Sequence, residues 1–229
     1  MNIAKKGFKT NCISQIPLFK VLNKEEKDYV QEFVIHKTFK PRETIYYPGE
    51  VADSIYIISS GKIRIYRLSE NGKEQLVRML IPGEFTGELA LFKEGVYEAF
   101  AETLEDTTIC MIKHSDFKKM LLKYPLVSTK MLEVLAKRLS TSEEQTTFIS
   151  TETVRDRLIH YLSRIQDINN RLQLDITKKD LASYLGTTPE SLSREFTKLI
   201  NDNTLTLINK NEYRLNGINL NIKPCNITY

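Results

Sequence analysis

The segment "DITKKDLASYLGTTPESLSREFTKL", residues 175–199, constrains the fold more than any other part of this chain. Thr188 is a favourable N-cap, because its hydroxyl can accept a hydrogen bond from a free backbone N–H at a helix start. Pro189 then takes the first helical position, where a missing N–H leaves no bond unmade. Gly186 is the residue type that most often ends a preceding helix in the left-handed conformation. The segment therefore predicts two short helices separated by a tight turn.

The second of these helices has an apolar side and a polar side. Its apolar residues recur at helical spacing and predict a buried stripe: Leu192, Phe196, Leu199 and Ile200. At about 100° per residue, four polar residues point away from that stripe: Glu190, Ser193, Arg194 and Thr197. On one isolated helix such a face is usually only solvated, so the neighbouring elements have to decide its role.

Those neighbours indicate a DNA-binding domain. Two short helices around "GTT" have the spacing of a helix-turn-helix, whose second helix places its N-terminal residues on base edges in the major groove. The following "NDNTLTLINKNEYRL" contains two β-rich runs around a polar turn, which predicts a hairpin, the wing of a winged helix. The candidate residues for contact with double-stranded DNA are Thr188, Pro189, Glu190, Ser193, Arg194, Thr197 and Lys198.

The N-terminal half has the pattern of a β-barrel. Six of the nine glycines lie in residues 49–95, several of them about one strand and one turn apart. Between them lie the runs "SIYIIS", "KIRIYRL" and "EQLVRML", in which Ile63 and Ile65 should face a core while Lys62 and Arg64 face water. The "ENGK" stretch predicts a hairpin turn. Regularly spaced short strands favour a barrel or jelly roll of the cupin-like, double-sheet type.

A glycine-free segment from Pro125 predicts one long helix. Its apolar and small polar residues recur at intervals of three and four, with a seam that becomes polar halfway. We interpret this as a coiled-coil-type dimer interface, weakened toward its C-terminal half. The alternative is a surface helix packed on its own barrel. The candidate interface residues are Leu132, Leu135, Leu139, Thr146 and Ile149.

The chain of 229 residues, 41% of them hydrophobic, is long enough for more than one globular domain. We expect an α+β protein in three segments. Residues 1–124 form a sensor barrel with an N-terminal arm, residues 125–150 a dimerisation helix, and residues 151–229 a winged helix-turn-helix with a C-terminal tail.

Composition excludes several classes of protein. A net charge of +4 tolerates nucleic acid without indicating it. No run approaches the ~18 apolar residues of a membrane span, and no secretory pattern opens the chain, so we expect a cytoplasmic protein without a membrane partner. His36, His114 and His160 lie far apart, and neither an HExxH motif nor a nucleophile elbow occurs. We therefore expect no enzyme, no catalytic residue, no metal site and no cofactor. A nucleotide-binding adaptor without DNA contact is disfavoured by the winged helix.

Barrel, long helix and winged helix-turn-helix, in this order, resemble the CRP/FNR family of bacterial transcription factors. The most specific segments are "PGEFTGELALF", residues 82–92, and "TTPESLSREFTKL", residues 187–199, and the resemblance extends from about Ile16 to Leu215. It implies a homodimer whose barrel senses a signal and whose recognition helices bind a palindromic promoter site. An activator of this kind would also contact RNA polymerase, while activation and repression both stay open.

The recognition helix resembles the FNR branch of this family at Glu190, Ser193 and Arg194, whereas Pro189 replaces a flexible residue. Arginine forks onto guanine O6 and N7, and glutamate accepts from cytosine N4, so the pair can read one G·C base pair. Nucleotide-binding members hold the cyclic phosphate with an Arg-Ser pair. Glu98 and Ala99 stand there in this chain, and a carboxylate repels a phosphate. The resemblance therefore implies that cyclic AMP is not the effector.

The cysteines leave the signal open. FNR itself holds an iron–sulfur cluster on four cysteines, and the three here, Cys12, Cys110 and Cys225, are too few. The chain is most similar to the FNR-like regulators of lactic-acid bacteria that lack the cluster, which implies a candidate redox pair, Cys12 and Cys110. The alternative is that Cys110 is a small buried hydrophobic residue and Cys12 a bystander. Gating by another small molecule, or constitutive activity, are the remaining hypotheses.

Overall fold

The structure, a computed structural model, describes residues 12–91 and 95–216. The predicted N-terminal arm before Cys12, the Phe92 end of "GELALF", and the C-terminal tail with Cys225 lie outside these ranges. The chain divides into two compact units, residues 1–139 and 140–229. The boundary between the two units falls within the predicted dimerisation helix.

The α-helices of the described residues are α1 (Cys12–Gln15), α2 (Lys24–Gln31), α3 (His114–Lys123), α4 (Pro125–Thr151), α5 (Val154–Ile165), α6 (Lys178–Tyr184) and α7 (Pro189–Asn201). The strands are β1 (Ile35–Phe39), β2 (Thr44–Tyr46), β3 (Ser54–Ser60), β4 (Ile63–Leu68), β5 (Glu74–Leu80), β6 (Phe85–Thr86), β7 (Phe100–Thr103), β8 (Thr107–Lys113), β9 (Arg171–Gln173), β10 (Leu205–Asn209) and β11 (Glu212–Leu215).

Two four-stranded antiparallel sheets form the barrel of the first unit. Their strand orders are β1-β8-β3-β6 and β2-β7-β4-β5. The "ENGK" turn joins β4 to β5 as predicted, and Gly72 adopts a φ of 75°, a left-handed conformation that glycine reaches without steric strain. The double-sheet α+β architecture predicted from the glycine-spaced runs is confirmed.

Strand β4 shows one prediction confirmed and one corrected. Ile63 and Ile65 are buried in the barrel core, as the alternation predicts. Arg64, which was expected to face water, has a side chain only 13% exposed, with nitrogens 3.0 Å from both Glu74 and Glu102. The sheet register brings these two carboxylates beside the arginine, so Arg64 is neutralised by ion pairs rather than solvated.

Helices α5, α6 and α7 and a small sheet form the second unit. Its core includes Leu158, Leu162, Leu192, Phe196 and Tyr213. Strands β10 and β11 are the predicted wing hairpin, and β9, which sequence analysis did not predict, extends it to the order β10-β11-β9.

The predicted apolar stripe of α7 needs one correction. Three of its residues are buried, but Ile200 is 37% exposed and lies outside the core. It is the next-to-last residue of the helix, beyond the turns that pack on α5 and α6. Separately, no helix among residues 12–91 and 95–216 is long and apolar enough to cross a membrane.

Candidate functional site

Helix α7 begins where the sequence predicts. The Thr188 hydroxyl accepts from the backbone N–H of Ser191 at 3.2 Å, and Pro189 occupies the first turn. Leu192, Phe196 and Leu199 are buried against the rest of the unit. Because these three residues hold the helix on its inner side, the outer side is not needed for packing.

The outer side carries the predicted DNA-contacting residues. Glu190, Ser193, Arg194, Thr197 and Lys198 are all exposed. The last four line a shallow, open depression of about 370 Å³. One helix face thus presents a carboxylate, a guanidinium, two hydroxyls and an ammonium group to solvent, which is the range of donors and acceptors that reads base edges and phosphates.

The contacts within this face distinguish its members. The Thr197 hydroxyl donates to the Ser193 carbonyl at 3.0 Å, and Lys198 lies 2.7 Å from Glu195. Arg194 has no ion-pair partner among the residues that the structure describes. An unpaired arginine keeps its planar donor fork available for a guanine or a phosphate.

The wing sheet carries two basic residues that were not among the DNA contacts predicted from the sequence. Arg171 on β9 and Arg214 on β11 are directly opposite each other, and both are exposed. Like charges at such positions destabilise a sheet, and Arg171 has a carboxylate beside it, since its Nη1 atom lies 3.8 Å from Glu212. The signal was absent from the sequence because the two residues lie in separate strands that only the register brings together.

Three tyrosine side chains pack in the barrel core together with aliphatic residues. The rings of Tyr46 and Tyr97 are stacked with centroids 4.0 Å apart, and Tyr56 lies 5.5 Å from Tyr46. The Tyr97 hydroxyl donates to the Ser54 carbonyl at 2.9 Å. Burial raises the pKa of Tyr46 to about 12, so the phenol stays neutral and pairs with the Thr86 hydroxyl at 2.7 Å.

The two residues at the phosphate-binding position of the nucleotide-binding relatives have other neighbours here. Glu98 is exposed and forms an ion pair with Arg67 at 2.7 Å. Ala99 packs against the barrel core. Neither side chain provides a hydrogen-bond donor for a phosphate.

Glu88, in the "GEL" turn, is buried between two arginines. Its Oε1 atom lies 2.9 Å from Arg78 and 2.8 Å from Arg138. Arg138, on α4, also donates to the Phe85 carbonyl at 2.8 Å and stacks over the Phe85 ring. Burial, and then the charge of Arg78, lower the pKa of Arg138. These contacts fasten the first half of α4 to the barrel, a role for Glu88 that sequence analysis did not foresee.

Cys110 is fully buried on β8, directly opposite His36 on β1. The Cys110 Sγ lies 3.8 Å from His36 Nδ1. Burial lowers the pKa of His36 and favours the neutral imidazole, which cannot supply the positive charge that activates a thiolate. Cys12 begins α1, and its side chain is not among those described, so the structure does not bring the two thiols together or separate them.

The predicted dimer-interface residues fall into different environments. Leu132 and Leu139, two helical turns apart, are 65% and 61% exposed. Leu135 is half-buried against the core of its own unit. Thr146 is exposed, and Ile149 lies beside Gly186 of its own chain, where a Cβ on the glycine would be 3.4 Å away.

Comparison with known proteins identifies both halves of the chain. Residues 36–124 match the cyclic nucleotide-binding domain, and residues 156–217 match the Crp-like helix-turn-helix domain. A probable transcriptional regulator, flp, of Lacticaseibacillus casei is 30% identical over 209 residues, which cover 90% of this chain and 95% of that protein. The chain belongs to the CRP/FNR family of transcription regulators. It is a DNA-binding regulator rather than an enzyme.

Other members of the family are similar over most of their length. The cyclic AMP receptor protein of Thermus thermophilus is 29% identical over 191 residues, 83% of this chain and 88% of that protein. The structure of FixK2 from Bradyrhizobium japonicum superposes with a TM-score of 0.69 at 23% identity, covering 80% of this chain and 93% of the other. The similarity to the FixK2 structure supports the fold of this chain.

We predict that Glu88→Ala destabilises the CRP/FNR barrel of this chain by about 3 kcal/mol, because two largely buried guanidiniums then lose their shared carboxylate. Urea unfolding of the full chain measures the change. Glu98→Ala is the matched control: its ion pair with Arg67 is exposed, and such pairs contribute about 0–1 kcal/mol. Equal effects of the two substitutions would contradict a structural role for Glu88.

Proposed function

We propose that this protein is a homodimeric, sequence-specific regulator that binds a palindromic promoter site. The observation that carries the proposal is the exposed face of α7, where Glu190, Ser193 and Arg194 lie opposite a fully packed stripe. Two such helices in a dimer would read half-sites centred roughly 34 Å apart, one turn of DNA.

Each side chain on this face has a proposed role. Arg194 donates to guanine O6 and N7, Glu190 accepts from the amino group of the paired cytosine, and Ser193 approaches a neighbouring thymine. The remaining predicted residues are closer to the backbone of the duplex and position it: Thr188, Pro189, Thr197 and Lys198. We assign Arg171 and Arg214 of the wing to phosphates, because both are exposed and basic side chains are the usual partners of the DNA backbone.

Whether the protein activates or represses transcription depends on where its DNA site lies relative to the promoter. Bound upstream of a promoter, the dimer would contact RNA polymerase and activate, and bound across the promoter it would repress. Relatives named transcriptional regulators and activators support the first arrangement without excluding the second.

Arg194→Ala should weaken binding to the preferred duplex by about 1–3 kcal/mol and relax the preference at one G·C pair. The lost contact is bidentate, so both affinity and base selectivity change. Fluorescence anisotropy with the preferred duplex and its single-substitution variants measures both. Arg67→Ala, which removes the same charge from the barrel, is the control. An Arg194→Ala protein that binds as tightly and as selectively as wild type would refute the assignment of this face of α7 to base contacts.

The dimer is proposed to form along the first half of α4. Leu132 and Leu139 are large apolar residues, spaced seven apart, that their own unit leaves mostly exposed. Burying such residues against the same residues of a second copy is the usual purpose of a heptad spacing. Leu135 is a weaker test position, because its contact with its own core would confound folding with association.

Leu132→Glu combined with Leu139→Glu should convert the dimer to a monomer, since a charge buried in the interface loses its hydration. Analytical ultracentrifugation measures the mass, and DNA affinity should fall with it. The control is Leu122→Glu, an exposed leucine of α3 outside this helix. A double variant that remains dimeric would place the interface elsewhere.

The signal is proposed to differ from cyclic AMP, because the Glu98 carboxylate would repel a phosphate and three tyrosines pack in the barrel core. Redox control through Cys12 and Cys110 competes with gating by another small molecule and with constitutive activity. The burial of Cys110 beside a neutral His36 favours a thiol that packs over one that reacts.

We therefore expect the same DNA affinity in diamide and in dithiothreitol, measured on the wild type and on Cys12→Ser. Full burial of Cys110 keeps the oxidant from its sulfur. If diamide changes the affinity of the wild type and Cys12→Ser abolishes that change, the redox pair is established.

A further inference from the structure

The C-terminal end of α6 leaves carbonyl groups that its own helix cannot satisfy. The Gly186 N–H donates to the Ser183 carbonyl at 3.2 Å. The Thr187 N–H donates to the Ala182 carbonyl at 2.9 Å. This is the Schellman pattern, with the glycine in the left-handed conformation at a φ of 64°. It accounts for the earlier carbonyls and leaves those of the last helical residue and the C-cap residue.

Each of these two carbonyls accepts from a side chain of a different helix. The Tyr184 carbonyl accepts from the Gln145 amide on α4 at 2.9 Å. The Leu185 carbonyl accepts from the Arg157 guanidinium on α5. The turn after α6 is therefore fastened at two adjacent points, by donors that lie 39 and 28 residues away along the chain.

The turn packs closely against one of these donors and against Ile149. A Cβ on Gly186 would lie 3.2 Å from the Arg157 Nη1 atom and 3.4 Å from Ile149. Only two residues separate Gly186 from Pro189, where α7 begins. A displacement of the α6 end is thus passed to the N-terminal turn of α7 with little chain to absorb it.

We propose that Gln145 and Arg157 are positioning residues for DNA recognition: they hold the turn of the helix-turn-helix so that the N-terminal turns of α7 meet the base edges. The inference rests on the proposed function of that helix. Base-edge hydrogen bonds tolerate errors of only about 0.5 Å, whereas phosphate contacts through long basic side chains adapt. Loss of either donor therefore reduces discrimination between sequences more than it reduces binding to DNA as such.

The test uses the full chain and two duplexes, one selected with the wild type from a random library and one of random sequence. Gln145→Met keeps the length of the side chain and removes the donor. Thr147→Met is the matched control, since that residue is exposed on α4 and its hydroxyl donates to the Glu143 carbonyl of its own helix. Arg157→Met is paired with Arg157→Lys, which keeps a charged donor.

The specificity ratio is the dissociation constant for the random duplex divided by that for the selected duplex. We expect this ratio to fall about tenfold in Gln145→Met and in Arg157→Met, the effect of about one hydrogen bond. Thr147→Met should keep the wild-type ratio, and Arg157→Lys should recover most of it. An unchanged ratio in both Met variants overturns the proposal. So does an equal loss on both duplexes with a lowered unfolding midpoint, which is what a merely structural contact would produce.

Hydrogen exchange in the free protein separates this inference from the proposed function. In the absence of DNA, the Thr187 amide should exchange faster in Gln145→Met than in Thr147→Met. If that difference is found and the wild type enriches no duplex, the proposed function fails while the contact stands. If exchange is unchanged and wild-type binding is specific, the positioning role alone is overturned.

Discussion

The burial of one stripe on α7 is the constraint from which the DNA-binding unit follows. Leu192, Phe196 and Leu199 are almost wholly withdrawn from solvent, and side chains of this size contribute roughly 1.5–3 kcal/mol each when buried. Once that stripe is fixed against α5 and α6, the helical period leaves Glu190, Ser193 and Arg194 on the outside. The exposed polar face of α7 is thus a consequence of packing on the opposite side, and the Thr188 cap sets where the helix begins.

The barrel unit buries aromatic and charged side chains together. Stacked tyrosines occupy the core, and the polar atoms of Tyr46 and Tyr97 find partners within the barrel. Glu88 is neutralised by arginines from β5 and α4. The hydroxyls of these tyrosines and the Glu88 Oε1 atom are therefore paired with groups of the protein itself.

Helix α4 has different neighbours along its length. In the first unit Arg138 bonds to the barrel, while Leu132 and Leu139 remain exposed. In the second unit Gln145 and Ile149 lie against the end of α6 and the turn that follows. Gln145 and Ile149 thus serve contacts within the second unit, while Thr146, a polar residue of the predicted seam, is exposed.

Local signals in the sequence were enough to predict the two helices of the helix-turn-helix, the wing hairpin and the exposed polar face of α7. The cap at Thr188, the left-handed Gly186 and the "ENGK" turn act between residues a few positions apart, so their chemistry is legible along the chain. Periodicity identified the buried stripe of α7 up to Ile200, where the helix runs past its core.

Tertiary structure decided every contact whose partners are distant in sequence. Arg64 meets a carboxylate 38 residues away, Arg138 meets Glu88 across 50 residues, and Gln145 meets α6 across 39. The strand β9 has three residues, too few to show an alternating pattern, so its pairing with the wing is visible only in the sheet. A polar side chain in a sequence shows what it can donate or accept, but the atom it finds is set by the packing of apolar residues elsewhere, because burial positions the elements and the polar groups then pair within that geometry.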